Sequence, residues 1–173
     1  MKEEYNPFLK TALKRTKLSL PMRLLKEKNL LQGTILDFGC GNGDDCRLLQ
    51  KEGFNIFRYD KYNPVYKEDR LLQNHYDTLT CNYVFNVMDN LEEHYQLIEM
   101  LKKLSNNVYI AVRSDIKAKQ NNWVFDEHSQ GYWTSKGSFQ RFYNNIVCDI
   151  LFQSQGNIEY IHNGNDFKLF KLT

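Results

Sequence analysis

The segment Ile35-Leu36-Asp37-Phe38-Gly39-Cys40-Gly41-Asn42-Gly43 constrains the chain more than any other: an apolar run meets an aspartate, and three glycines follow within five positions. Each glycine adds to the entropy cost of ordering the backbone, so a plain connector has no use for the set. Thr34 to Phe38 has the character of a strand buried on both faces of a parallel sheet. Asp44 to Lys51 reads as a helix with Gly53 placed to stop it, and Phe54 to Asp60 alternates as a second strand. Such a strand–loop–helix–strand unit belongs to an α/β sheet, whose ligands bind at the carboxyl edge of the strands. The glycines there let main chain turn sharply and lie close to a ligand, with helix N–H groups aimed at a carboxylate or phosphate.

The remaining pattern fits that frame. Tyr76 to Tyr83 and Asn107 to Arg113 are further strands. Between them Asn90 and Glu93 make a capping box before an apolar stripe from Leu91 to Leu104. Ser114 to Gln130 is polar and too long for a bare connector, which marks it as a lid or binding loop. Ser138 to about Leu151 reads as the last helix, and the two alternating runs around Asn163-Gly164 read as a hairpin. The whole predicts an α/β fold: a doubly wound, mostly parallel sheet closed by a C-terminal antiparallel hairpin.

A length of 173 residues suits one domain, with 42% apolar and 25% charged residues in the globular range. Residues 1–32 are expected as an N-terminal helical segment, divided at Pro21 and packed on a domain formed by 33–173. No apolar run approaches the roughly 20 residues of a membrane span, and the N-terminus has no signal-peptide core, so no membrane partner and a cytoplasmic location are expected. The four cysteines lack C-x-x-C spacing, and no metal site is expected. Residues 1–32 hold eight Lys/Arg against three acids. That segment either meets nucleic-acid phosphates or forms the solvated face of a helix.

Spacing narrows the ligand. A dinucleotide fingerprint requires G-x-G-x-x-G, but Asp44 occupies the completing position, and the lysine of a phosphate loop is absent. Asp44 and Asp45 would repel a pyrophosphate; the alternative account of them is as first-turn acids favoured by the helix dipole.

"DFGCGNG" resembles, position for position, the glycine motif of class I S-adenosylmethionine-dependent methyltransferases. Asp60, 23 residues after Asp37, stands where that family carries the acid for the ribose hydroxyls. "YDTLTCNYVFNVM" is similar to its fourth-strand motif. The resemblance implies S-adenosylmethionine as a small-molecule cofactor, bound by Asp37, Gly39, Cys40, Gly41, Gly43, Asp45, Asp60, Lys61, Cys81 and Asn82. Candidate catalytic residues are Asn82, Tyr83 and His128, the last in the expected lid. Only sixteen residues separate Asp60 from Asp77, too few for the helix, strand and helix usual there. A shortened third-strand region and a trimmed sheet edge follow.

"LDFGCGNGDD", "NYVFNVMDNLEEH" and "GYWTSKGSFQRFY" resemble more narrowly the methyltransferases associated with bacterial DNA phosphorothioation and their phage relatives. The proline-bearing motifs of base-N-methylating and cytosine-C5 enzymes are missing. A nucleic acid or nucleotide-related acceptor is one implication; a catalytically silent module with a nucleic-acid-binding or regulatory role is the other. Trp133, Tyr132 and Phe139 either stack on a base or staple the last helix to the core.

Overall fold

The computed structural model describes residues 6–7, 11–115 and 120–173. Lys2 and Lys10 of the basic leading segment, and residues 116–119 of the expected lid, lie outside the described residues. Six strands make the main sheet: β1 (Thr34–Phe38), β2 (Asn55–Tyr59), β3 (Thr78–Asn82), β4 (Val108–Arg113), and the later β8 (Ile158–Asn163) and β9 (Phe167–Leu172). Their order is β2-β1-β3-β4-β9-β8. The first four run parallel, and β9 then lies antiparallel to both β4 and β8. β2 is the edge strand, because residues 61–76 hold only a short 3-10 turn, Asp69–Gln73. The trimmed edge inferred from chain length is therefore present, and the parallel centre has the apolar runs that burial on two faces demands.

Helices cover both faces. On one, α1 (Leu20–Glu27) and α2 (Asp44–Lys51) bury Met22, Leu25, Cys46 and Leu49 against Ile35, Ala111 and Leu169. On the other, α3 (Leu91–Leu104) and α4 (Asn145–Phe152) pack Ile98, Leu101, Cys148 and Phe152 on Leu36, Leu79, Ile110 and Phe170. Asn90 caps α3 as expected, its side chain accepting from Glu92 N at 2.9 Å and Glu93 N at 3.4 Å.

Three expectations are corrected. Pro21 does not divide a helix: it lies in the first turn of α1, where its missing N–H has no intrahelical partner to lose. The break falls instead at residues 12–19, which are neither helix nor strand. The last helix starts at Asn145 rather than Ser138, capped by Asn144, whose Oδ1 accepts from Val147 N at 2.9 Å. Phe139–Gln140 is instead β7 of a small antiparallel sheet with β5 (Val124–Asp126) and β6 (Gly131–Trp133), so that residues 124–126 of the segment expected as a polar loop are strand. Phe139 is buried with its ring against Trp133 and beneath the Arg141 guanidinium, and Trp133 Nε1 donates to Asp126 Oδ2 at 3.0 Å. These aromatics build that sheet.

His94, on α3, is fully buried among Phe85, Tyr143 and Phe152, with neither ring nitrogen hydrogen-bonded among the described residues. Burial, aided by the Arg141 charge, pulls its pKa down to about 3. An enclosed imidazole without partners costs about 1–3 kcal/mol. His94→Phe is expected to raise the melting temperature by several degrees at pH 7, measured by circular dichroism. A lower melting temperature would reveal a partner for the ring.

Candidate functional site

The loop after β1 is built from its main chain outward. Gly39, Gly41 and Gly43 all adopt left-handed φ, at 74°, 58° and 68°. A Cβ on Gly39 would lie 2.2 Å from Val84 Cγ2, so the first glycine is fixed by space as well as by torsion. Gly43 caps α2 and turns the chain into the helix. The loop is tied to the end of β2: Gly39 N and Cys40 N both donate to Tyr59 O, at 2.8 and 3.0 Å. Asp60 Oδ2 accepts from Gly41 N at 2.9 Å, while its Oδ1 accepts from Tyr62 N and Asn63 N at 2.9 and 3.1 Å. Asn63, unnoticed in the sequence, returns the contact through Nδ2 to Gly41 O at 2.8 Å.

A cavity of about 750 Å³ opens beside this loop. Its walls include the glycine loop, Asp60 and Lys61 after β2, Asn82 and Tyr83 after β3, and Arg113 and Asp115 after β4. Phe38, Met88, Leu97 and Met100 give it an apolar side. Among the described residues seven carboxylates line it (Asp37, Asp45, Asp60, Asp89, Glu93, Asp115, Asp166) against three cations (Arg15, Lys61, Arg113). Asp37, Asp45 and Asp60 gather beside the glycine loop, which suits a ligand with positive charge at that end.

Of the sequence-derived residues, Asp37, Gly39, Cys40, Gly41, Asp45, Asp60, Lys61, Asn82 and Tyr83 meet at this one cavity. Three do not line it. Cys81 points into the core, fully buried, because its side chain packs with the residues under α3 and α4. Gly43 stands behind the loop, where a Cβ would meet Tyr66 and Arg58. His128 is exposed on the turn between β5 and β6, its N–H donating to Asp126 Oδ1.

Asp37 is buried, with Oδ1 accepting from Thr80 Oγ1 at 2.8 Å and Oδ2 3.4 Å from Cys46 Sγ. Burial, then the neighbouring Asp45, lifts its pKa to about 7. Asn82 has both carboxamide atoms enclosed and without a hydrogen-bond partner among the described residues. An enclosed amide of this kind at a cavity wall is a place for a ligand to complete. Tyr83 sits at a left-handed φ of 63°, a strained position for a residue with a side chain.

Sequence reasoning missed what crosses the cavity. Thr11, Ala12, Leu13, Arg15 and Ser19 all line it. Asp44 and Asp45 hold this strap by its backbone, accepting from Arg15 N at 2.7 Å and Ser19 N at 2.8 Å. The two acids are more than first-turn charges. Among the described residues no helix is long and apolar enough to cross a membrane, and no group of three or more His, Cys, Asp or Glu is placed to hold a metal ion.

A trimmed β2-β1-β3-β4-β9-β8 sheet with a glycine loop and an acid at adjoining strand ends defines a Rossmann-like methyltransferase fold. The chain belongs to the family described as the methyltransferase domain, whose sequence profile matches residues 8–148. It is structurally similar to an S-adenosylmethionine-dependent methyltransferase from Bacteroides fragilis solved with S-adenosyl-L-homocysteine, at 18% identity and a TM-score of 0.58, over 92% of this chain and 78% of that one. It is also similar to 1,6-didemethyltoxoflavin-N1-methyltransferase from Burkholderia thailandensis, at 11% identity and a TM-score of 0.61, over 88% and 76% of the two chains. Magnesium protoporphyrin IX methyltransferase from Synechocystis, solved with bound S-adenosylmethionine, aligns at 14% identity and a TM-score of 0.51 over 89% and 76%. No curated protein sequence matches the chain.

Proposed function

We propose that the protein transfers the methyl group of S-adenosylmethionine to an acceptor seated at the Tyr83 end of the cavity. One observation carries this reading: the Gly41 N–H is captured by Asp60 at the rim of a cavity rich in carboxylates. Asp60 has taken three backbone donors and keeps acceptor capacity for a ribose hydroxyl. Asp37 and Asp45 offer negative charge to the cofactor's ammonium, and Asn82 offers an unmatched donor and acceptor to its polar end or to the acceptor. Phe38, Met88 and Leu97 give the adenine ring an apolar surface.

When bound, S-adenosylmethionine supplies a sulfonium-activated methyl group for in-line displacement. The chain's share of such a reaction is alignment, worth up to roughly 7–11 kcal/mol in the best intramolecular cases. The three segments similar to the phosphorothioation-associated enzymes, together with the basic leading segment, support a nucleic-acid or nucleotide-related acceptor.

Calorimetry with S-adenosylmethionine and S-adenosylhomocysteine tests the reading. Micromolar affinity is expected for the wild type, weakened at least about tenfold in Gly41→Ala, since that methyl group enters the cavity from a left-handed position where only Ala12 lies near, at 3.7 Å. Absence of binding by the wild type removes the proposal.

A further inference from the structure

We propose that the acceptor carries an oxyanion, a carboxylate or a phosphate group, and that the Arg15 guanidinium holds it beside the Tyr83 hydroxyl; this deepens, and rests on, the methyltransferase reading of the same cavity. The strap that carries Arg15 has no helix or strand to fix it, yet its path is set from three sides. Arg15 N donates to Asp44 Oδ2 at 2.7 Å, Ser19 N donates to Asp45 Oδ1 at 2.8 Å, and Arg15 O accepts from Arg47 at 3.3 Å. Asp44 in turn pairs with Arg47 at 3.0 Å, so the carboxylate and guanidinium of one helical turn grip the N–H and C=O of one residue. A main chain held at both its donor and its acceptor fixes where the side chain departs. Here the half-buried Arg15 departs into the cavity wall.

Among the described cavity cations, Arg15 is a half-buried one without an ion pair, whereas Lys61 is exposed. Arg113 is engaged by both oxygens of Asp115, at 3.0 and 2.8 Å. Lys61 lies over the Tyr62 ring. Asp166 accepts from Phe167 N at 2.9 Å and stands 3.5 Å from His162 Nε2. Arg15 makes no ion pair among the described residues. A guanidinium partly withdrawn from water, with its fork of donors unmatched, is complementary to a planar or tetrahedral oxyanion.

Tyr83 completes the corner. Its N–H donates to Ala111 O at 2.8 Å and its ring meets Phe167 edge-on, with centroids 6.4 Å apart. Holding a tyrosine left-handed costs about 1–3 kcal/mol, a cost that persists only where the surroundings fix it, as at binding sites. Burial pushes its hydroxyl up to about 12, with Arg15 and Arg113 opposing the rise and Asp166 and Asp115 adding to it; Tyr83, Arg15 and Arg113 line the same cavity. At neutral pH the phenol is a hydrogen-bond donor, the form an oxyanion uses.

The test uses the full chain saturated with S-adenosylhomocysteine, whose binding to the wild type is measured first, so that failure of the cofactor reading is seen separately. Benzoate, phenyl phosphate and the neutral isostere benzamide are then titrated by calorimetry. At least one anion is expected to bind about tenfold or more tighter than benzamide, and Arg15→Met is expected to remove that preference while Arg15→Lys keeps part of it. Preference for benzoate identifies a carboxylate-bearing acceptor, and preference for phenyl phosphate a phosphate-bearing one. Equal binding of all three probes by the wild type, or a preference that survives in Arg15→Met, overturns the assignment.

Discussion

Asp60→Ala is expected to weaken S-adenosylhomocysteine binding by at least about a hundredfold. In the folded chain this carboxylate accepts from three backbone N–H groups, those of Gly41, Tyr62 and Asn63, and so ties the glycine loop to the segment after β2. Its removal leaves three donors without an acceptor and takes away the negative charge offered to the ribose. Hydrogen bonds to a charged group are worth about 1.5–3 kcal/mol each, and two lost in the complex already account for a hundredfold or more. Asp60→Asn is an informative intermediate: its oxygen can still serve Tyr62 and Asn63, but its NH2 then confronts the Gly41 N–H, donor against donor. The expected order of affinity is wild type, then Asn, then Ala, read by calorimetry, with a parallel fall in melting temperature. An alanine variant that binds within threefold of wild type would show that the loop, not the carboxylate, holds the sugar.

The strength of that expectation reflects how the site is encoded. Loop and acid were legible because both are local consequences of strand ends: glycines where φ must be positive, a carboxylate where a parallel strand stops. The trimmed edge was legible from chain length alone, since sixteen residues cannot hold three elements. The hairpin was legible from its alternation. What escaped are contacts between distant main chain and side chains, which leave no period in the sequence. Asp44 and Asp45 bond to N–H groups 29 and 26 residues away, and any residue but proline at 15 or 19 would supply the same donor. The small β5-β6-β7 sheet escaped because strands of two or three residues are shorter than the alternation that would announce them. Cys81 was drawn to the site by its motif, but the sheet is buried on both faces, so an apolar strand does not say which side chain faces which layer.

Cofactor affinity is expected to rise with pH up to about 7 and to level off above it, and Asp37 is the reason. Its carboxyl is raised to about 7, first by burial and then by Asp45. A cationic ligand beside it favours the ionised form, so binding below that pKa releases a proton and tightens by up to about tenfold per pH unit. Asp37→Asn cannot ionise; its affinity for S-adenosylhomocysteine is expected to be weaker at pH 8 and flat from pH 5 to 8. The same group shapes folding stability with the opposite benefit. Because its folded pKa lies above its unfolded value, the unfolded chain releases the proton first, and stability falls as pH rises from about 4 to about 7. With 1.36 kcal/mol per pKa unit, the full cost at pH 8 is on the order of 4 kcal/mol. His94 acts in reverse: its pKa, lowered to about 3 by burial, makes stability rise with pH from about 3 to the unfolded value near 6.5. The two buried groups therefore oppose one another over most of the same window, and the wild type should change little in stability between pH 4 and 6.5 on their account. Each single variant unmasks the other group. Asp37→Asn should gain stability with rising pH and melt above wild type at pH 8 despite its lost affinity, whereas His94→Phe should lose stability from pH 4 to 7. Urea unfolding across that range measures both slopes, and a pair of variants whose slopes share one sign would mean that Asp37 is already ionised within the folded chain.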